Sequence, residues 1–226
     1  MRTEKERMQA APSVEYGLLR SDEIKQCANM AADAFQQYEY FSTFFPDADE
    51  RRRFLHHSIL SDTRANYGLA HYLIGRREGE IVASAQLQPP SYRKPSTLRY
   101  LMHGWLGVML LPHQSIINDW LKMDEEAGQV CHHLMDGETW YVGVVTINSR
   151  YQGQGLGTDL FQHGIFPYVR QQGGKRITLF ANSESNLRFY NRLGFKLVDK
   201  RDINYKGQTM GSWSLICELD ELKFNK

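Results

Sequence analysis

A run of alternating glycines constrains this chain more than any other feature of its sequence. The segment Tyr151–Thr158 reads YQGQGLGT and lies between an apolar, β-branched stretch, Thr139–Ile147, and a stretch with helical spacing of apolar residues, Gly155–Gln172. Glycine allows a tight turn and the close approach of bare N–H groups to a ligand, and the following helix directs its positive end to the same place. The sequence therefore predicts a strand, an anion-binding turn and a helix in succession.

The turn matches neither of two common phosphate-binding motifs. No Gly-Lys-Ser/Thr follows it, as a Walker A loop requires, and the third glycine of a dinucleotide-binding G-x-G-x-x-G motif would fall at Thr158. The pattern that remains is Gln/Arg-x-x-Gly-x-Gly, met by Gln152, Gly155 and Gly157. Because glycine is common, chance alone produces this pattern in roughly one in ten chains of this length. On this segment alone, a ligand-free turn stays open as the alternative.

The remaining pattern predicts an α/β protein with a mixed central β-sheet flanked by helices. Strands are expected at Val14–Leu19, Ala70–Arg77, Glu80–Leu87, Thr139–Ile147 and Arg176–Ala181, followed by a closing hairpin of Phe195–Arg201 and Thr209–Glu218. Helices are expected from Ser21, as N-cap, to about Tyr38, from about Asp49, and over Gly155–Gln172 and Glu184–Leu193. Neither a repeat nor a linker divides the chain, so residues 1–226 are predicted to form a single domain.

A mostly helical insertion is predicted at about residues 95–137, interrupted by Pro112. Its apolar run, Leu101–Leu111, suits a pocket lid, a dimer surface or a buried helix, of which burial is the simplest. Pro167 lies inside the long helix after the glycine turn and is expected to bend that helix or end it early.

Charge and composition argue against several classes of partner. The chain has 27 Lys and Arg against 26 Asp and Glu, so its formal net charge of +1 provides no field that attracts nucleic acid. The run Leu101–Leu111 is much shorter than the ~20 apolar residues that span a bilayer. The segment Met1–Gln9 is charged and lacks the apolar stretch of a secretion signal, and three scattered cysteines fit no disulfide framework. These features predict a cytoplasmic protein without a membrane or nucleic-acid partner.

Adjacent histidines at His56-His57 and at His132-His133 suggest a metal site at first sight. Neighbours in sequence do not share a helix face, however, and neither a His-Glu-x-x-His motif nor paired cysteines occur. No metal ion is therefore predicted.

A second informative segment follows the glycine turn. Asn186–Phe195 reads NLRFYNRLGF, with Gly194 at the position where a helix would end. Together with QGQGLG at positions 152–157, it resembles the GNAT superfamily of N-acetyltransferases in order and spacing, and the clear resemblance covers residues 139–201. In detail the chain is similar to the branch that acetylates small-molecule amines, which includes puromycin-type antibiotic acetyltransferases.

The resemblance implies a site for acetyl-CoA. The pantetheine arm would run beside the fourth strand, with main-chain contacts from Val145, Thr146 and Ile147. The pyrophosphate would lie on the amides of the turn, which belong to Gln152, Gly153, Gln154, Gly155, Leu156, Gly157 and Thr158. Asn182 and Asn186 would either bond to CoA or cap the helix beside them.

The resemblance also implies a reaction, in which a neutral amine attacks the thioester carbonyl directly. A backbone N–H near Val145 would hold the oxyanion, and Tyr190 matches the family's general acid, which protonates the leaving sulfur. Packing is the alternative role of Tyr190. For the base, four side chains and a water chain stay open, the side chains being Glu39, Glu138, His132 and His133.

The predicted function is the acetyl-CoA-dependent acetylation of the primary amine of a small molecule. A near-neutral chain with a long insertion favours an enclosed acceptor pocket. Acetylation of a protein lysine or N-terminus is the alternative within the enzyme class. A non-catalytic module that binds acyl-CoA is the alternative from another class, and a second copy of the chain is a candidate partner.

Overall fold

A seven-stranded mixed β-sheet forms the centre of the protein. The computed structural model describes residues 13–205 and 207–222, so the charged segment Met1–Gln9 lies outside the described residues. The strands are β1 (Glu15–Leu18), β2 (His71–Arg77), β3 (Glu80–Gln88), β4 (Thr139–Ile147), β5 (Arg176–Ala181), β6 (Lys196–Tyr205) and β7 (Gln208–Glu218). Their order is β1-β2-β3-β4-β5-β7-β6, in which only the β4–β5 pair of this described sheet is parallel. The predicted mixed sheet is confirmed.

Helices cover both faces of this sheet. They are α1 (Ile24–Phe35), α2 (Glu39–Phe44), α3 (Ala48–Asn66), α4 (Thr97–Tyr100), α5 (Leu106–Met109), α6 (Gln114–His133), α7 (Leu156–Asp159), α8 (Phe166–Gln171) and α9 (Glu184–Arg192). Helix α1 packs on β3 and β4, and α6 packs on β5 and β7. The opposite face carries the helical run 156–171 and α9, whose apolar side chains form the main core with the sheet.

The first helix differs at both ends from the prediction. Ser21 does not cap it; a 3-10 turn, Ser21–Glu23, comes first, and the Glu23 carboxylate accepts the Arg20 N–H at 2.9 Å. The reason is tertiary, because Arg76 on β2 draws the same carboxylate inward with two hydrogen bonds of 2.9 and 2.7 Å. Helix α1 then ends at Phe35, and a separate short helix, α2, occupies the region expected to follow as loop.

Removing Arg76 should destabilise the fold measurably. Glu23 is buried, and losing its bidentate partner leaves the carboxylate with only the Arg20 N–H and the exposed Arg20 side chain, so Arg76→Ala is expected to lower the free energy of unfolding by about 2 kcal/mol at pH 7. The hydrogen bonds from Arg76 lower the pKa of Glu23. The stabilisation is therefore present above the ordinary Glu pKa and is lost as the pH falls through the lower, folded-state pKa.

Urea unfolding of both proteins at pH 7 and below pH 4 checks this expectation. The difference between wild type and Arg76→Ala should shrink at acid pH. Arg20→Ala is the matched control, because Arg20 contacts the same carboxylate from a side chain that is 65% exposed, and it should cost under about 0.5 kcal/mol. Equal losses for the two variants would contradict the assignment.

The insertion is helical as predicted, but its apolar run is not buried. A break at His103 and Gly104, where φ of the glycine is 106°, separates α4 from α5. Val108 is fully buried, whereas Met102 and Leu110 are 76% and 78% exposed. Burial was therefore the wrong expectation for most of Leu101–Leu111, because this short, broken segment turns one stripe inward and leaves its other apolar side chains outside.

Pro167 distorts the long helix, as predicted. The helical run after the glycine turn widens into a π-helical segment, Leu160–Ile165, immediately before α8 begins with Pro167 at its start. Proline has no N–H to donate and its ring crowds the carbonyl four residues earlier, so the preceding turns widen. The distorted segment packs against the sheet through Leu160, Phe161 and Ile165, which are all fully buried.

Other expectations concern membranes and cysteines. None of the helices within residues 13–205 and 207–222 is long and apolar enough to cross a membrane. Cys27, Cys131 and Cys217 are free and buried.

Candidate active site

Strands β4 and β5 separate part-way along the sheet. They pair only from Thr139 to Tyr141 on β4 and from Arg176 to Thr178 on β5. Beyond Tyr141, β4 continues to Ile147 and pairs with β3 alone among the described strands. The edge of β4 that faces β5 is therefore open, and an extended ligand can bond to it as an additional strand would.

The register shows which main-chain groups face this opening. Asn148 N donates to Val82 O of β3 at 2.9 Å, so alternation turns the main-chain groups of Thr146 to β3 as well. The main-chain groups of Val145 and Ile147 then face the opening. The Thr146 side chain lies on the opposite side of the strand from its neighbours, at 2.6 Å from Ser84 Oγ.

The glycine turn closes one end of the opening. Gly153 and Gly155 have φ angles of 75° and 82°, a region that glycine adopts without strain, and a Cβ at either position would meet only open space among the described atoms. Gly157 serves packing instead, because a Cβ there would lie 3.1 Å from Phe189 of α9. Gly155 is the N-cap of α7, so the first amides of the helical run point into the turn.

Side chains of the turn hold its backbone without using its amides. Gln152 Nε2 donates to Ile147 O at 3.1 Å, and Gln154 Nε2 donates to Arg150 O at 3.2 Å. Within the described residues, the N–H groups from Gln152 to Gly155 have no protein acceptor. Leu156 is buried and anchors the start of α7. The turn thus presents a row of free N–H groups at a helix N-terminus, an arrangement that suits an anion.

Cationic side chains also stand beside the turn. The Arg77 guanidinium lies 5.3 Å from the ring centroid of Tyr151, and Arg150 pairs with Glu80 at 3.7 Å. Arg77 Nε is buried and has no hydrogen-bond partner among the described residues. No sequence motif marks Arg77, because β2 is distant in sequence from the turn.

Tyr190 lies near the C-terminal end of α9 in an aromatic environment. The rings of Phe161, Phe189 and Phe195 surround it at centroid distances of 5.7, 5.2 and 5.6 Å. Its hydroxyl has no hydrogen-bond partner in the described part of the chain. Burial, and then Tyr38, raise the pKa of Tyr190 above the ordinary tyrosine value. The phenol is therefore protonated across the physiological range and can donate a proton.

The two asparagines before and within α9 have different environments. Ser183 caps the helix by accepting Asn186 N at 3.2 Å, so neither asparagine side chain is the cap. Asn186 Nδ2 donates to Tyr38 Oη at 3.2 Å. Asn182 Nδ2 is buried without a partner among the described residues, so it is available to a ligand.

The four candidate bases lie in different places. Glu138 pairs with Lys175 at 2.6 Å, at the end of β4 away from the turn, and Glu39 is exposed at the start of α2. His132 is exposed with its ring 4.6 Å from that of Tyr141, and His133 is exposed beside it. The structure brings none of the four beside the free amides of the turn.

Two aspartates that no sequence motif marks lie near the face of the sheet that α1 covers. Asp62 on α3 bonds to Gln86 of β3, and Asp124 on α6 lies within electrostatic range of Asp62. Their separation in sequence produces no motif that could have revealed them. No group of three or more His, Cys, Asp or Glu side chains in residues 13–205 and 207–222 could hold a metal ion.

The model of one protein family matches this chain. The family is described as acetyltransferase (GNAT), and its model matches residues 32–195. The chain belongs to the GNAT family. It is accordingly an N-acetyltransferase by family, and the mixed sheet that separates between β4 and β5 is its GNAT fold. A comparison with curated proteins gave no match.

Solved structures share this GNAT fold. A Corynebacterium glutamicum protein described as histone acetyltransferase HPA2 and related acetyltransferase has a TM-score of 0.61 at 19% identity, covering 91% of this chain and 96% of that one. A Drosophila melanogaster polyamine N-acetyltransferase has a TM-score of 0.58 at 17% identity, covering 91% and 100%. The Salmonella typhimurium protein yncA, described with its cofactor acetyl-CoA, has a TM-score of 0.54 at 14% identity, covering 94% and 98%. At these identities the likeness concerns the fold.

Proposed function

We propose that this GNAT enzyme transfers an acetyl group from acetyl-CoA to the primary amine of a small molecule. The observation that carries the proposal is the open edge of β4 beside a turn with free N–H groups. The edge suits an extended amide-containing arm, and the turn suits a diphosphate. Acetyl-CoA contains both groups in that order, next to its reactive thioester.

Each step of the reaction then has a candidate group. The main chain of Val145 and Ile147 holds the pantetheine arm, and the amides from Gln152 to Thr158 hold the pyrophosphate, with Asn182 as a further donor. The Val145 N–H also stabilises the oxyanion. Tyr190 donates a proton to the departing sulfur.

A small acceptor is favoured over a protein by what surrounds the site. Helix α1 packs on the side of β4 opposite the main core, and the polar side chains of β3 and β4 there, Gln86, Gln88 and Thr146 among them, are buried rather than spread on an open surface. The Drosophila melanogaster relative acts on a polyamine, which is consistent with this reading. The exposed apolar side chains of α4 and α5 are the surface that a second copy of the chain would cover.

The test is release of free thiol from acetyl-CoA with a panel of primary amines, followed by mass identification of the product. Acetylated small amine is the expected product. Turnover with a lysine peptide alone would favour the protein-acetylating alternative. Stabilisation by CoA without any thiol release would favour a binding module.

A further inference from the structure

The face of the sheet beneath α1 and α6 is polar at its centre. Gln86 and Gln88 of β3 are both buried there, and Ser84 bonds to Thr146 nearby. Gln86 Oε1 lies 2.5 Å from the position that a Cβ of Gly143 would occupy. A β-bulge in β4 leaves Gly143, between Val142 and Val144, without a paired residue on β3. A polar group here is thus in contact with the strand at the start of its open edge.

Asp62 is fixed in place directly behind this contact. Its Oδ2 accepts Gln86 Nε2 at 3.2 Å, and its Oδ1 accepts Asn66 Nδ2 at 2.8 Å and Tyr100 Oη at 3.0 Å. All three donors are neutral, so they orient the carboxylate without neutralising its charge. One side chain therefore separates Asp62 from the β4 backbone at Gly143.

Asp124 brings a second carboxylate to the same region. It has no hydrogen bond or ion pair with any described residue. Each aspartate is surrounded by protein and still keeps accessible surface. Lys94 acts on both, but its side chain is 70% exposed and stands 3.9 Å from Glu125. Among the described residues, no Lys, Arg or His side chain forms an ion pair with Asp62 or Asp124.

Unpartnered polar groups border the two carboxylates. Tyr40 is only 4% exposed, its hydroxyl has no partner among the described residues, and the charge of Asp124 acts on it directly. Gln88 is 8% exposed, and its Oε1 is also unpartnered while its Nε2 reaches Gln86. A buried polar atom without a partner costs free energy, which a polar ligand would recover.

We propose that this acidic cluster, formed by Asp62, Asp124, Tyr40, Gln86 and Gln88, binds a small aliphatic diamine as the acceptor. Asp62 receives the proton of the ammonium that becomes acetylated, since it lies one side chain from the open edge of β4. Asp124 and Tyr40 hold the second ammonium. The inference rests on the proposed function and names its substrate class and its base.

The step balances in protons and bonds. The Asp62 carboxylate takes one proton from the reacting ammonium, and the freed nitrogen lone pair forms a C–N bond with the thioester carbonyl carbon. The C–S bond breaks, its electron pair goes to sulfur, and sulfur receives the Tyr190 proton. The second nitrogen proton returns to the Tyr190 oxygen, and Asp62 releases its proton to solvent. The products are the N-acetyl diamine, CoA thiol and one proton.

Burial raises the pKa of Asp62 to about 6, and burial together with Asp62 raises that of Asp124 to about 6. The titratable and charged groups that face the two aspartates are Tyr40, Tyr72, Lys94, Tyr92, Tyr100, Glu125 and Tyr141. The tyrosines among them have pKa values raised by burial, so they stay neutral. Near pH 6 the two aspartates therefore ionise, while the neighbouring phenols stay protonated.

Steady-state kinetics with 1,4-diaminobutane and with 1-aminobutane test the inference. We expect kcat/KM at least about tenfold higher for the diamine. Asp62→Asn should lower kcat by about 10² or more for both amines. It should also abolish the rise of kcat/KM for 1-aminobutane as the pH is raised through about 6, because the ionised carboxylate is the base. A structural role of Asp62 would leave that rise in place.

The Asp124→Asn variant tests the binding of the second ammonium separately from the deprotonation of the first. It should raise KM for 1,4-diaminobutane about tenfold and so remove the preference for this diamine over 1-aminobutane. Glu126→Gln removes an equal charge from an exposed position on the same helix, and it should match wild type. Should Asp62→Asn fail to fold, the comparison of Asp124→Asn with wild type on the two amines tests the inference.

Failure of the inference differs from failure of the proposed function. Equal use of the two amines, with Asp124→Asn like wild type, overturns the diamine assignment while leaving acetyl transfer intact. Absence of thiol release with every amine overturns the function itself. Calorimetric titration of 1,4-diaminobutane into the CoA-bound protein needs no turnover: binding that Asp124→Asn weakens supports the cluster as a diamine site, and no binding overturns it.

Discussion

Replacing Tyr190 with phenylalanine is expected to lower kcat for acetyl transfer by about 10² or more, the lower range for a positioned proton donor. The phenol is buried, and burial raises its pKa, so it is in the acid form at every working pH. Its hydroxyl has no partner within the described residues, so the variant loses no internal hydrogen bond. Thiol-release kinetics and calorimetric titration with acetyl-CoA should show slower turnover with unchanged affinity.

Tyr168→Phe is the matched control for that experiment. Tyr168 is a partly buried tyrosine whose hydroxyl lies 2.6 Å from His71 Nδ1, away from the open edge of β4. Its removal should leave kcat unchanged. If Tyr190→Phe turns over at the wild-type rate with the fold intact, Tyr190 only packs against Phe161, Phe189 and Phe195.

Replacing Gly155 with valine is expected to weaken acetyl-CoA binding by about 10- to 100-fold. The φ of 82° at this position is strained for a β-branched residue by about 1–3 kcal/mol, and relaxation would turn the neighbouring peptides away from the diphosphate. A Cβ here would meet no described atom within 4 Å, so the change acts through the backbone rather than through a clash. Isothermal titration with CoA measures the loss.

Gly173→Val separates the effect on binding from the effect on stability. Gly173 has φ of 80° and equally open surroundings, but it lies before β5, at the other end of the sheet from the turn. The two variants should lose similar stability, while only Gly155→Val loses affinity. Wild-type affinity in a folded Gly155→Val protein would show that the turn does not hold the diphosphate.

Local sequence signals predicted most of the fold. The hairpin of β2 and β3 turns at Glu78 and Gly79, both with positive φ, where the sequence placed a short turn. Asp47 caps α3 by accepting two N–H groups, and Gly194 ends α9 with φ of 94°. These features were predictable because each depends on residues a few positions apart.

Features that depend on distant residues were not predictable. Arg76 changes the start of α1 from across the sheet, and the exposure of Met102 and Leu110 follows from which stripe of the insertion meets α3. The same holds for the candidate base. Asp62 and Asp124 belong to no motif, and only the tertiary arrangement of α3 and α6 brings their charges within range of each other.

The sequence by itself determined the glycine turn, its place between a strand and a helix, and Tyr190 within a segment typical of acetyltransferases, because these are properties of contiguous residues. The tertiary structure decided where β4 and β5 separate, which amides stay free, and which carboxylates lose their water beside the open edge. Those outcomes depend on burial and on contacts between segments far apart in the chain, and burial is what sets the charge state and reactivity of a carboxylate.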